Sequence, residues 1–246
     1  MATAKSLLLR KQYKKILIFT SIFFFVLGII VHSTGDFLTY RLIRGLIYMS
    51  FLSLLYVFQG KKIHSLIFLF LFISGLSSFA TIGYESNWLA IISMILFLLS
   101  SLVLINAVAP KVNFRKMNTL LTVIFVVMVL IDGYLLYEFV QMIRELTLSS
   151  THYVFTLISA MSFVFLGFLA ILYNYIYSSK ASLVFVLFVF TFIFAEVFRA
   201  IAYYDIAFGI ASIHIARGLL LLSMCLLVHY CLLGKKDVEK LNQKLF

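Results

Sequence analysis

The sequence predicts an all-α polytopic membrane protein, a compact bundle of about eight transmembrane helices with both termini in the cytoplasm. Composition is the first sign: 64% of the 246 residues are hydrophobic and 12% are charged, whereas soluble domains are about half apolar and about a quarter charged. Continuity is the second. The apolar residues form unbroken runs of about 20, the length of a helix that crosses a ~30 Å hydrocarbon layer, and they lack the alternation of β-barrel strands.

Eight such runs occupy nearly all of the chain, with connections of about five to ten residues. We therefore predict one transmembrane domain over residues 1–246, with a short basic N-terminal tail (1–15) and a short C-terminal tail (234–246). The first run follows several lysines, as a secretory signal does, but no small-residue cleavage site comes after it. The predicted spans are residues 16–33, 38–58, 63–82, 88–109, 118–142, 153–177, 182–204 and 209–233.

Basic residues predict the orientation, because short loops rich in Lys and Arg stay in the cytoplasm. If successive connections alternate between the two sides, 15 of the 20 basic residues share the side of the N-terminus. This favours the cytoplasmic (inner) membrane of a bacterium. The net charge of +11 is then a topology signal and a contact for anionic lipids, not a sign of nucleic-acid binding. The 15 residues are Lys5, Arg10, Lys11, Lys14, Lys15, Lys61, Lys62, Lys111, Arg115, Lys116, Lys180, Lys235, Lys236, Lys240 and Lys244.

The stretch FIFAEVFRAIAYYD (192–205) places Glu196 and Arg199 inside an apolar span. An ionisable group at mid-depth costs about 2.5–3.5 kcal/mol on insertion scales, so it is usually paired or functional. At helical spacing Glu196, Arg199 and Tyr203 form one stripe. His214 and Arg217 lie three residues apart on the eighth span and are predicted to reach a similar depth.

Further charges fall in the same, non-cytoplasmic half of the predicted bundle. Because acids and bases there nearly balance, and because several spans contribute at one depth, we expect paired groups around a shared internal cavity. The alternative is that they snorkel or form interhelical pairs that only hold the bundle together. The acids are Asp36, Glu85, Asp132, Glu138, Glu145, Glu196 and Asp205, and the bases are Arg41, Arg44, Arg144, Arg199 and Arg217.

Other chemistry finds little support in the sequence. There is no HExxH, GxSxG or P-loop pattern, and Cys225 and Cys231 are six residues apart on different helix faces, so we predict no cofactor and no metal site. His32, His64 and His152 lie at the ends of spans and are expected at the membrane interface.

A resemblance to a known family covers mainly residues 152–234. The segments that carry it are HYVFTLISAMSFVFLGFLAILY (152–173), LFVFTFIFAEVFRAIAYYDIAF (187–208) and ARGLLLLSMCLLVHYCLLGK (216–235). They resemble the YhhN-like (lysoplasmalogenase) family of eight-span membrane enzymes. Ala195-Glu196 stands where that family has Ser-Asp, and His229-Tyr230 where it has Gln and an aromatic residue. The family's earlier Gly-Asp pair has no acid at the matching position, Ser74-Gly75-Leu76.

The resemblance implies an enzyme that hydrolyses the vinyl-ether bond of a lysoplasmalogen, a membrane lysophospholipid, to a fatty aldehyde and a glycerophospho-alcohol. Such hydrolysis starts by protonation of carbon, so it needs a carboxylic acid. On this basis Glu196 is expected as the acid and Asp132 as the residue that orients water. Arg199 and Arg217 are expected to bind the phosphate, with His214 and Tyr203 beside the substrate.

A second hypothesis is a non-catalytic lipid-binding or scaffolding protein of the same fold, which the missing Gly-Asp acid favours. A sensor is a weaker alternative, because no output domain follows the spans. A transporter is weaker still, because the predicted helices lack the Gly or Pro interruptions typical of that class. The sequence leaves the oligomeric state open.

Overall fold

The computed structural model describes residues 2–35, 37–59, 65–112, 119–142, 144, 149–204 and 209–244, and it describes side chains from residue 12 to residue 233 apart from 37, 120, 121, 124, 125 and 128 within those ranges. The described part folds into eight α-helices without a strand. The helices are α1 (Ala2–Ser33), α2 (Phe37–Gln59), α3 (Ser65–Ala80), α4 (Asn87–Val108), α5 (Thr119–Met142), α6 (Ser150–Tyr177), α7 (Lys180–Tyr203) and α8 (Gly209–Lys244).

Seven of these helices, all except α5, contain a described stretch long and apolar enough to cross a membrane. The predicted class, an all-α protein built from membrane-spanning helices, is confirmed at this level. The orientation and an eighth span at α5 remain predictions. Helical structure also extends into both predicted tails, since α1 begins at Ala2 and α8 ends at Lys244.

Serine residues fix the short connections around α6 and α7. The Ser149 hydroxyl accepts a hydrogen bond from the backbone N–H of His152 and caps the start of α6. Ser178 ends that helix in the left-handed region with φ of 42°. Ser179 and Ser182 then form a reciprocal capping box that starts α7. Each hydroxyl satisfies a backbone group that a helix end leaves unpaired, so two residues suffice to reverse the chain.

The helices other than α5 pack as a closed ring in the order α1, α2, α3, α4, α6, α7, α8 and back to α1. The most extensive contact joins α7 to α8, and α5 packs mainly against α6. Side chains from α2, α3, α4, α6 and α8 all touch α7, which therefore presents one face to the interior of the ring. These contacts are made by Arg44, Phe70, Phe97, Phe163 and Tyr230.

One face of α7 is buried from Ala181 to Glu196. Phe185, Phe188 and Phe192 are each no more than 1% exposed and follow one another at intervals of three and four residues, the repeat of one helix face. The next position on that face is Glu196, which is also buried. The helix therefore directs a carboxylate into the interior at the place where its pattern would supply another apolar side chain.

Small residues bring neighbouring helices close together. A methyl group on Gly45 of α2 would lie 2.4 Å from the Phe79 ring of α3. Ser77 of α3 and Ser93 of α4 exchange hydrogen bonds, each hydroxyl donating to the other residue's carbonyl oxygen, at 2.9 and 3.1 Å. Lipid tails are as apolar as core side chains, so close packing and such hydrogen bonds hold membrane helices together.

Candidate functional site

Glu196 lies between two arginines in the interior of the bundle. Its Oε1 accepts a hydrogen bond from Nη2 of Arg44 on α2, and its Oε2 accepts one from Nε of Arg199 at 2.8 Å. The side chain is 9% exposed. Both oxygens are thus occupied by guanidinium donors, and one carboxylate serves two cations. Before Glu196 could carry a proton, one of these arginines would have to move away from it.

The depths of the charged residues agree along their helices. Glu196 lies seven residues before the end of α7, and Arg44 seven residues after the start of α2, which is about 10 Å in each case. Because the two helices run in opposite directions through the predicted membrane, the two side chains meet at the same level. Arg217 lies eight residues after the start of α8, which is about 12 Å from the same end of the bundle.

A second ion pair lies nearer to the end of the bundle. Arg41, one turn before Arg44, donates to Glu85 at 2.6 Å and to the carbonyl oxygen of Thr81 at 3.3 Å. The Glu85 side chain is 69% exposed. A hydrogen bond from its own backbone N–H and another from Arg41 lower the pKa of the Glu85 carboxyl. This pair is present at neutral pH and is lost as the pH falls through that lowered pKa.

Arg217 of α8 is buried without a carboxylate among the described residues. It is 5% exposed, and its guanidinium carbon lies 3.8 Å from the centre of the Tyr40 ring. Nη2 donates to the carbonyl oxygen of Tyr40 at 3.2 Å, and Nη1 has no hydrogen-bond acceptor. Gly28 of α1 makes room for this group, since a methyl group there would lie 1.8 Å from Nη1. A buried charge without its counter-ion is costly, which singles Arg217 out.

These groups line one cavity of about 770 Å³ between α2, α4, α5, α6, α7 and α8. Arg41, Arg44, Arg199 and Arg217 contribute to its wall, as do two acids, Glu196 and Asp132. Most of the remaining wall is apolar, from residues such as Phe97, Phe139, Phe163, Val164, Phe190, Ile193, Phe194 and Leu220. The cavity therefore joins a cationic region to a long hydrocarbon-lined space.

Five of the six residues predicted from the sequence as site residues lie on the wall of this cavity: Glu196, Asp132, Arg199, Arg217 and Tyr203. Asp132 is exposed on α5. The sixth, His214, is not among the lining residues, and its ring packs edge-on against that of His32 at 5.4 Å. Arg44 was predicted to be in the charged region but not as the partner of Glu196. Asp36, Glu145 and Asp205 lie outside the described residues.

His152 is buried near one end of the bundle. It stands near the start of α6, as expected for a residue at the interface, and it is 1% exposed. Burial raises the pKa of Tyr84, so the phenol keeps its proton, and its oxygen is hydrogen-bonded to Nε2 of His152 at 2.6 Å. Tyr84 also lines the cavity. No sequence pattern indicates this pair, because 68 positions separate the two residues.

In the part of the chain that the structure describes, no three His, Cys, Asp or Glu residues lie close enough to hold a metal ion. Comparison with known protein families, with curated proteins and with solved structures gives no match. The function is therefore argued from the geometry of the cavity.

The Arg44–Glu196 contact gives a test of the buried pairing. We expect Glu196→Met to lower the free energy of unfolding by about 3–5 kcal/mol, because it leaves the buried guanidinium of Arg44 without its carboxylate. Arg44→Met should lower it less, because Arg199 still pairs with Glu196. The double variant should lose much less than the sum of the two. Unfolding in detergent micelles, followed by loss of helical circular dichroism, measures all three.

The exposed pair supplies the control. Arg41→Met should change the free energy of unfolding by only about 0–1 kcal/mol, because the partner carboxylate faces solvent. Additive effects of Arg44→Met and Glu196→Met would show that the two side chains are not coupled.

Proposed function

We propose that the protein binds a single-chain membrane lipid of the lysophospholipid type in this cavity. The observation that carries the proposal is a single cavity of about 770 Å³ whose wall is mostly apolar and also carries four arginines. Small-molecule sites commonly measure about 300–1,000 Å³ and combine apolar walls with a few placed polar groups. An amphiphile has this same division, with its chain against the phenylalanines and its headgroup at the arginines.

Blocking the apolar part of the cavity should prevent binding. Ala160 of α6 lines the cavity, whereas its neighbour Met161 is 41% exposed and does not. We expect Ala160→Phe to weaken binding of a C16 lysophospholipid at least about tenfold, the effect of losing about 1.4 kcal/mol of binding energy. Met161→Phe should bind as the wild type does. Native mass spectrometry in a neutral detergent compares the three proteins, and equal binding by both variants would reject the cavity as the site.

A second candidate function is hydrolysis of a vinyl ether, because two carboxylates, Glu196 and Asp132, line the same cavity. In this reaction a proton adds to the outer vinyl carbon, water adds to the resulting oxocarbenium carbon, and the hemiacetal breaks down to an alcohol and an aldehyde. Glu196 would become the acid only after Arg199 turned from it to a lipid phosphate. Asp132 would orient the water. Substrate binding would thus prepare the acid, through the 2.8 Å contact that joins Arg199 to Glu196.

The catalytic reading is tested best at Asp132, because this exposed residue has no ion pair among the described side chains. Asp132→Asn should fold normally and lose aldehyde release from a lysoplasmalogen, whereas binding of the lipid should persist. Glu138→Asn on the same helix is the control, since it is exposed and does not line the cavity. Absence of aldehyde from the wild type would leave only the binding function.

We further propose that both termini face the cytoplasm of a bacterial cell, as the basic residues predict. The arginine end of the cavity then lies in the outer half of the membrane. A membrane-impermeant maleimide applied to intact cells should label Glu85→Cys and should not label Ser178→Cys, which lies at the opposite end of the bundle. The wild-type protein is the blank, because Cys225 is only partly exposed and Cys231 is buried. Labelling of Ser178→Cys alone would show that the protein has the opposite orientation in the membrane.

A further inference from the structure

The charges around the cavity do not balance among the described residues. Four arginines line it, against the single carboxylates of Glu196 and Asp132. Arg41 pairs with Glu85, whose side chain is largely exposed. Glu196 is shared by Arg44 and Arg199 and therefore neutralises only one of them. Among the described residues, the part of the cavity wall that carries the four arginines therefore keeps an excess of positive charge.

Among these four arginines, Arg217 has the least compensation of its positive charge by described carboxylates. The residue is 5% exposed, no described carboxylate reaches it, and Nη1 lacks an acceptor. A guanidinium binds carboxylate and phosphate oxygens with two parallel hydrogen bonds, and desolvation makes such a pairing stronger. An anionic group in the cavity would supply the charge that the described protein residues do not.

The aromatic rings around the cavity argue against a quaternary ammonium headgroup. Such a group binds over open aromatic faces, but arginines already occupy three of them. The distances from guanidinium carbon to ring centre are 3.8 Å for Arg217 and Tyr40, 5.7 Å for Arg199 and Phe97, and 5.9 Å for Arg41 and Tyr203. A choline or ethanolamine would also be repelled by these same cations.

We infer that the cavity selects single-chain amphiphiles whose headgroup carries a net negative charge, a carboxylate or a phosphate monoester, over those with a zwitterionic headgroup. This rests on the proposed function, and it deepens that function by naming the ligand class. A lysoplasmalogen with a choline or ethanolamine headgroup is then a poor ligand. The shared chemistry is an anionic oxygen group at the end of one long chain.

The test compares ligands that share a C16 chain and differ in the headgroup. Purified full-length protein in a neutral detergent is titrated with palmitate, palmitoyl lysophosphatidate and palmitoyl lysophosphatidylcholine, and inorganic phosphate serves as the headgroup without a chain. We expect one or both anionic amphiphiles to bind at least about tenfold more tightly than the choline lipid. Comparison of palmitate with lysophosphatidate distinguishes carboxylate from phosphate as the preferred group.

A variant at Arg217 tests whether this residue causes the preference for anionic headgroups. Arg217→Met should abolish the preference for anionic headgroups and should raise the melting temperature of the ligand-free protein, because it removes a buried uncompensated charge. A purely structural arginine would give a lower melting temperature. Lys180→Met removes an exposed charge at the other end of α7 and should keep the preference.

Gly28→Ala gives a second route that keeps the arginine. The added methyl group would meet Nη1 of Arg217 at 1.8 Å and should push the guanidinium aside, so the preference should shrink while the choline lipid binds as before.

The ligand series separates the two proposals. Equal affinity of the wild-type protein for anionic and choline lipids would overturn the headgroup inference and leave the lipid-binding proposal standing. Failure of every C16 amphiphile to bind would overturn both, and binding of inorganic phosphate alone would overturn the requirement for a chain.

Discussion

The pairing of Glu196 with Arg44 and Arg199 is the constraint around which the site is arranged. A carboxylate inside a membrane protein has no water to solvate it, so it must be paired or coordinated. Here α7 presents that carboxylate on its buried face, and α2 supplies a guanidinium at the same depth. This fixes the rotation of both helices about their axes and their relative height. The arginine on α8 is then left to face the cavity without a described carboxylate.

The cavity itself follows from how the helices pack. Seven helices close into a ring held by small residues and interhelical serine hydrogen bonds, whereas α5 lies mainly against α6. The space between α5 and the ring is therefore bounded by α6, α7 and α8, with further wall residues from α2 and α4. Its walls are mostly phenylalanine and aliphatic side chains because these faces would otherwise meet lipid. The arginines of α2, α7 and α8 lie near one end, and Asp132 of α5 adds a carboxylate to the wall.

Such an arrangement suits a ligand that is itself divided into a polar and an apolar part. The phenylalanines offer no directional bonds, so they would tolerate different chains, whereas the guanidinium groups require acceptors in defined positions. Headgroup chemistry would then decide which amphiphile binds. If catalysis also occurs, the same arginines control it, because Arg199 cannot hold Glu196 and a ligand phosphate through the same donor.

The helices were largely predictable from hydropathy. The predicted spans 118–142 and 88–109 differ by only a residue from α5 and α4. The largest differences lie at the termini, where α1 and α8 continue beyond the apolar runs. The hydrocarbon layer limits the length of an apolar segment, but a helix can continue into water with polar side chains, so hydropathy alone does not mark its end.

Hydropathy was enough to predict the class, the approximate spans and the charges within them, because a segment that spans hydrocarbon must be continuously apolar and each charge in it is conspicuous. The Glu196–Arg199 contact was also predictable, since three residues separate the two on one helix. Three other features depend on how the helices pack: Arg44, 152 positions away, binds Glu196 as well, His152 is buried against Tyr84, and His214 packs against His32. Helices that are apolar on every side give no sequence signal for their rotation, so their partners are set by side-chain packing between distant segments.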